Sequence, residues 1–308
     1  MPRAATDTVV GALVGALAGD CIGAPSEGRR AVSRARARAR VDRALGRRQL
    51  RYTDDTQLSL ALIDHMTADG PHVEPSLLAR RMLARYDDTR GYGAGMRRLV
   101  ALWRDGWAAD AASTAVFPDG SFGNGAAMRV APIGLRWARQ PDRLTEQATR
   151  SALPTHVHPI GIDGAVVQAH AVAVAATTGG FGRAQMAALP TATDQLRDGV
   201  LAAVALPSDT SPAAAARALG TAPVAHRSVP AALWCAATSP DVETAIVAAV
   251  ALGGDTDTIA AMAGAVRGAA DGAGSIPAAW QGVLEGHDEV VDAAERLLAS
   301  GDDDARDG

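Results

Sequence analysis

Two short acidic clusters lie far apart in the chain, Thr53-Asp54-Asp55-Thr56 and Gly253-Gly254-Asp255-Thr256-Asp257-Thr258. Carboxylate and hydroxyl oxygens gathered in this way are the donors that hard divalent cations prefer. Brought together by folding, the two clusters would make one oxygen-rich metal site. Each also has a plainer local reading as a helix N-cap, because Asp at a helix start accepts backbone N–H bonds and complements the helix dipole. Two adjacent carboxylates flanked by two threonines exceed what one cap requires. Asp255 and Asp257, two apart in a turn, can face one point, and the remaining acidic and glycine positions of an EF-hand loop are missing.

Other stretches offer parts of a ligand site. Glu27, in Cys21-Ile22-Gly23-Ala24-Pro25-Ser26-Glu27-Gly28, is a single loop carboxylate that by itself reads as solvated. In Pro118-Asp119-Gly120-Ser121-Phe122-Gly123-Asn124-Gly125, the glycines let backbone approach a ligand closely and free N–H groups can hold phosphate oxygens, while Phe122 offers a stacking face to a purine. His156 and His158 have no further His, Cys or Glu at ligand spacing, so His156 reads as a polar neighbour of a site rather than a metal ligand. The glycines of Arg90-Gly91-Tyr92-Gly93-Ala94-Gly95 lack dinucleotide-binding spacing, and no phosphate-loop Gly-Lys-Ser occurs. In Ser33-Arg34-Ala35-Arg36-Ala37-Arg38-Ala39-Arg40 the arginines recur every second residue, which wraps them around a helix. A solvated segment is the default there; the functional alternative is contact with a polyanion or an acidic substrate protein.

The elements that must position these residues read as helices. Leu58, Ala61, Leu62 and Met66 recur at helical spacing after the first cluster, as do Ile259, Met262, Ala263 and Val266 after the second. The spacing predicts helix from Pro75 to Trp107 with a break at Arg90–Gly95, and a further helix from Gly164 to Ala175. From Ala187 to Thr238 the expectation is Ala-rich helix broken by Pro207, Pro212, Pro223 and Pro230, with helix starts at Ser211-Pro212 and Ser239-Pro240. Near the N-terminus, Thr6 or Asp7 is expected to cap a buried helix whose Gly11, Gly15 and Gly19 face lets a neighbour pack closely. Its apolar run, Val9 to Ala18, is too short to span a bilayer and is followed by no cleavage pattern.

Composition sets the outer bounds. A chain of 308 residues with 48% hydrophobic and 21% charged residues is an ordinary soluble globular protein. Only 4% of residues are aromatic, so small side chains must fill the core. A formal net charge of -4 gives no general reason to expect nucleic acid or an anionic membrane as partner. Cys21 and Cys235 cannot form a disulfide framework or a cysteine zinc site, and inert thiols in a reducing cytoplasm are the simpler setting.

In these motifs the chain resembles the ADP-ribosylglycohydrolases of the dinitrogenase-reductase-activating type, over nearly its whole length, from Gly11 to about Trp280. Gly19-Asp20 through Glu27 is similar to the family's first-loop motif, and the two acidic clusters to its two metal motifs. Arg90 to Gly95, Gly120 to Arg129, and Thr155-His156 with Gly161 and Gly164-Ala165 are similar to the ADP-ribosylhydrolase 3 subgroup, which removes ADP-ribose from serine.

The resemblance implies an all-α, single compact domain of orthogonally packed helices over residues 1–300, followed by an acidic, disordered tail at 301–308. It implies two Mg2+ ions, or Mn2+ in some members, held by Thr53, Asp54, Asp55, Asp255, Asp257 and Thr258 in a dinuclear cleft. Four carboxylates balance the formal charge of two divalent ions. The implied reaction is hydrolysis of the glycosidic bond between ADP-ribose and protein, with Glu27, Asp55 and Asp255 at the chemistry. Gly120, Ser121, Phe122, Gly123 and Asn124 would cradle the diphosphate and stack the adenine, and His156 would bond the ligand near the phosphates. The subgroup commonly has Tyr where this chain has Phe122, so stacking survives and a hydroxyl contact is lost. ADP-ribosylated proteins are the implied partners, with a monomer as the simplest state. The alternatives are a non-catalytic ADP-ribose-binding module, or hydrolysis of N-linked ADP-ribosylarginine, of free O-acyl-ADP-ribose, or of ADP-ribosylated nucleic acid.

Overall fold

A core short of aromatic rings has to be filled by close backbone approach, and one helix pair supplies it. A computed structural model describes residues 3–303 as eighteen α-helices and three short 3-10 turns, with no strand among the described residues. The N-terminal helix, Arg3–Gly23, runs antiparallel to Thr256–Asp271. Gly11 faces Gly268, Gly15 faces Gly264, Gly19 faces Ala260, and Gly23 faces Thr256 and Asp257. A Cβ at any of these four glycines of the first helix would collide with partner backbone, so the two axes approach as only small residues permit. The expected glycine face is present, and its neighbour is the helix that carries the second acidic cluster.

This pairing fixes the ends of both helices. Thr256 donates its hydroxyl to Gly23 O at 2.9 Å, and Ala273 N donates to Asp7 Oδ1 at 3.1 Å at the far end. Asp7 is therefore not the expected cap of its own helix, which starts at Arg3 and runs past the Val9–Ala18 run. The stretch Ala5–Ser26 is long and apolar enough to cross a membrane, as is Pro159–Thr178; 72% and 67% of their respective apolar windows are buried inside the fold.

The remaining elements pack around that pair. Pro159–Thr178 lies against Thr256–Asp271, where Gln168 Nε2 donates to Met262 O at 3.0 Å, and also against Ala225–Thr238 and Gly125–Met128. The break expected near Arg90–Gly95 separates Pro75–Arg85 from Ala94–Arg104. Ser211 caps Pro212–Leu219 as expected. Ser239 does not cap the next helix; Asp241 does, accepting from Thr244 N at 2.7 Å, because its carboxylate sits where the first free N–H groups of Val242–Leu252 point. Pro230 does not break its helix, which continues from Ala225 to Thr238 and forgoes one backbone bond at the ring. The arginine run forms Arg34–Leu45, with Ala37, Val41 and Ala44 buried and Arg34, Arg36 and Arg38 exposed. The last helix reaches Asp303; the rest of the expected acidic tail, residues 304–308, lies outside the described residues.

Gly15→Ala should destabilise the fold by about 2 kcal/mol in denaturant unfolding, because overpacking outweighs the gain in helix propensity. Gly274→Ala, with nothing within 4 Å of the added carbon, should change stability by less than about 0.5 kcal/mol.

Candidate functional site

The first acidic cluster opens the helix Asp54–Ala68, with Thr53 as its N-cap. The second follows Val242–Leu252, which ends at Gly253 and Gly254 with φ of 72° and 75°. That left-handed backbone suits glycine, and side chains there would strike the backbone of residues 29–31 and Thr221. Gly28 N donates to Gly254 O at 2.8 Å and Gly254 N to Arg29 O at 2.9 Å, which ties the Glu27 loop to the second cluster.

The two clusters meet. Thr258 Oγ1 lies 3.3 Å from Asp55 Oδ2, and Thr53 Oγ1 lies 3.0 Å from the same oxygen. Glu27, Asp255 and Asp257 each place a carboxylate oxygen within 4.8 Å of the others. Asn124 Nδ2 donates to Asp255 Oδ2 at 2.5 Å and to Ser228 Oγ at 3.0 Å, so the glycine-rich turn is anchored to the second cluster.

Asp20 holds the arrangement from beneath and was not singled out as a site residue by sequence reasoning. Fully buried, it accepts from Thr53 N and Oγ1 at 3.0 and 2.8 Å, and from Thr56 N and Oγ1 at 3.1 and 2.6 Å. It thus clamps the start of the Asp54–Ala68 helix to the glycine-faced N-terminal helix. Its sequence signal was its place in the Gly19-Asp20 through Glu27 stretch, which gave it no role of its own.

Burial and mutual repulsion shift the buried aspartates of the cluster upward. Burial, then the charge of Asp20, pushes Asp54 up to about 7. Burial pushes Asp255 up to about 6 despite the Asn124 bond. Asp55 and Asp257 are raised well above the usual carboxylate range by burial and by their acidic neighbours. Asp55 Oδ1 and Asp257 Oδ1 are buried with no hydrogen-bond partner. Unpaired buried carboxylate oxygens are costly. An all-oxygen donor set with two orphaned anionic oxygens fits a hard divalent cation, which restores the missing charge and coordination.

A cleft of about 780 Å³ opens over this cluster. Of the sequence-predicted residues, Glu27, Asp54, Ser121, Gly123, Asn124, His156, Asp255, Asp257 and Thr258 line it. Asp55 lies below, against the core, and Thr53 lies between Asp20 and Asp55. Gly120 and Phe122 are not in the lining. A side chain at Gly120 would strike Val157 and His158, so it serves close packing there. Phe122 is 47% exposed, with its ring in edge contact with His158 at 5.6 Å. The phenyl ring in the lining is that of Phe117, beside Met96 and Leu99. It rests against Gly95, where any side chain would displace it. A single Phe after an Ala-rich helix gave no signal of that position.

With this geometry in place, the chain can be set beside known proteins. A family model for ADP-ribosylglycohydrolase matches residues 1–306. The chain belongs to the ADP-ribosylglycohydrolase family. It is similar to mouse ADP-ribosylhydrolase ARH3, 36% identical over 181 residues, which is 54% of this chain and 48% of that protein. ADP-ribosylhydrolase ARH3 of Xenopus tropicalis is 36% identical over 174 residues, 53% and 48% of the two chains. These matches span about half the length of the curated relatives. A solved ADP-ribosylglycohydrolase-related protein complex aligns with a TM-score of 0.73 at 26% identity, over 97% of this chain and 99% of that one. The all-α fold is therefore that of an ADP-ribosylglycohydrolase.

The raised carboxyls make the metal-free protein sensitive to pH. Between about pH 4 and 7 the folded chain holds protons on Asp54 and Asp255 that the unfolded chain, with ordinary carboxyls, has released. Stability is therefore greatest at the acid end of that window and falls as pH rises through 6 and 7. In chelator, the melting temperature should drop from pH 5 to pH 8, and added Mg2+ should raise it more at pH 8 than at pH 5.

Proposed function

We propose that this protein hydrolyses the glycosidic bond that joins ADP-ribose to protein side chains, O-linked serine in preference to N-linked arginine, and releases ADP-ribose. The observation that carries the reading is the junction of a buried carboxylate cluster with a glycine-rich wall, Ser121, Gly123, Asn124 and Gly125, in one cleft of about 780 Å³. That volume lies in the range of small-molecule sites. The similarity to two proteins called ADP-ribosylhydrolase ARH3 supports the same reading.

Thr53, Asp54, Asp55, Asp255, Asp257 and Thr258 would hold two Mg2+ ions, with Mn2+ as a substitute. Bound there, the ions supply Lewis-acid charge and a template for ribose hydroxyls and water. The chain's own residues do the rest. Asn124 fixes the orientation of Asp255, and Asp20 fixes Thr53 and the helix start, so the oxygens facing the sugar are preorganised. The glycine-rich turn brings backbone close to the diphosphate, and Phe117, Met96 and Leu99 give the adenine an apolar wall. A stack on Phe122 requires the adenine to reach past that lining.

Hydrolysis breaks the bond between the anomeric carbon and the serine oxygen; a water oxygen joins the carbon, and a proton must reach the departing oxygen. Glu27 would make that proton transfer. It is exposed at the mouth, where a protein substrate arrives, yet its carboxylate lies within reach of Asp255 and Asp257. A serine alkoxide is a poor leaving group without a proton, so the O-linked substrate depends most on this residue. Two buried, unpaired thiols at Cys21 and Cys235 suit a cytoplasmic setting.

Peptides ADP-ribosylated separately on serine and on arginine, incubated with and without Mg2+, test the reading. Release of ADP-ribose from the serine peptide in Mg2+ is expected. Tight ADP-ribose binding with no release from either peptide would leave a binding module instead. Glu27→Gln should lower kcat by about 10²–10⁴-fold with the fold intact, and Asp257→Ala should abolish divalent binding and turnover together.

A further inference from the structure

Arg129 is a large, fully buried cation without a carboxylate partner among the described residues. Its guanidinium donates to Gly125 O at 2.6 Å, to Ser151 O at 2.8 Å and to Thr155 Oγ1 at 2.9 Å. Thr155 Oγ1 in turn lies 2.6 Å from His156 Nδ1. One lone pair of the hydroxyl is taken by Arg129, so its single proton has two acceptors to choose between: His156 Nδ1, or Ala152 O at 3.4 Å. Ala152 O already accepts Thr155 N at 3.0 Å and His156 N at 2.8 Å. The short contact therefore takes the proton, and Nδ1 is an acceptor.

The other ring nitrogen faces the ligand side. A carbon added at Gly123 would lie 3.2 Å from His156 Nε2, and one added at Gly125 would lie 3.1 Å from His156 Cε1. Both glycines line the cleft, as does His156 itself. We infer that Arg129 and Thr155 are positioning residues that lock His156 as the neutral tautomer protonated on Nε2, so that the ring presents one fixed N–H donor to the cleft. Burial and the nearby Arg129 charge agree with this, holding His156 down to about 3. A donor of this kind suits a phosphate or ribose oxygen and rejects a ligand group that must donate there.

Only the ligand half of this inference rests on the proposed ADP-ribose reading. The test is nitrogen NMR of the histidine rings in the ligand-free protein, with His156 assigned through His156→Gln, joined to ADP-ribose titration at pH 6 and pH 8. The expected result is a single neutral tautomer with the proton on Nε2 from pH 5 to 8, and an affinity with no histidine titration step. Thr155→Val should lose that single tautomer and weaken ADP-ribose about tenfold; Thr155→Ser, which keeps the hydroxyl, should restore both. A wild-type ring protonated on Nδ1, or a Thr155→Val protein that keeps the Nε2 tautomer, would overturn the inference. The wild-type measurement needs no variant to fold. If the ring behaves as expected and ADP-ribose does not bind, the positioning stands and the substrate reading fails.

Discussion

The cost of burying five carboxylates side by side is the constraint on which this structure turns. Asp20, Asp54, Asp55, Asp255 and Asp257 come from three helix ends, and each is pushed above its ordinary range by burial first and by acidic neighbours or in spite of hydrogen bonds second. Nothing in an isolated helix would gather them. The glycine-lined contact between Arg3–Gly23 and Thr256–Asp271 does so, because its antiparallel register sets Gly23 against Thr256 and Asp257 and leaves Asp20 under the start of Asp54–Ala68. Packing energy from the core is thereby used to hold an arrangement that electrostatics alone would disperse.

The neighbouring polar groups then divide into two kinds. Asp20 and Asn124 direct particular carboxylate and hydroxyl oxygens and so shape the cluster. Arg129 and Thr155 act on His156 and shape the ligand side. The glycine-rich turn joins the two, since Asn124 reaches the acidic cluster while Gly125 O accepts from Arg129. A cleft assembled this way is rich in carboxylates at one end and donor-bearing at the other, where the Arg129 guanidinium lies behind His156, a gradient suited to a ligand that carries both sugar hydroxyls and phosphates.

Much of this was legible in the sequence because the informative residues recur at helix boundaries. Thr53 to Thr56 and Gly253 to Thr258 could be read as oxygen-rich helix starts, and Gly11, Gly15 and Gly19 as a close-packing face. The partner of that face, Gly264 and Gly268, was hidden inside an apolar run where glycine has no distinct local signal. Asp20 stood out only as part of the Gly19–Glu27 stretch, because hydrogen bonds to residues more than thirty positions away leave no mark on local spacing. Ser239-Pro240 misled for a related reason: the cap motif was present, and Asp241 one residue further on took the free N–H group instead. Phe122 was the visible aromatic of its turn, yet tertiary packing put Phe117 in the lining.

The most direct test of the account is anomalous diffraction from crystals grown or soaked with Mn2+. It predicts two anomalous peaks in the cleft, coordinated by Asp54, Asp55, Asp255 and Asp257 with the hydroxyls of Thr53 and Thr258. Absence of any peak at saturating Mn2+, or peaks held by residues outside the two acidic clusters, would contradict it.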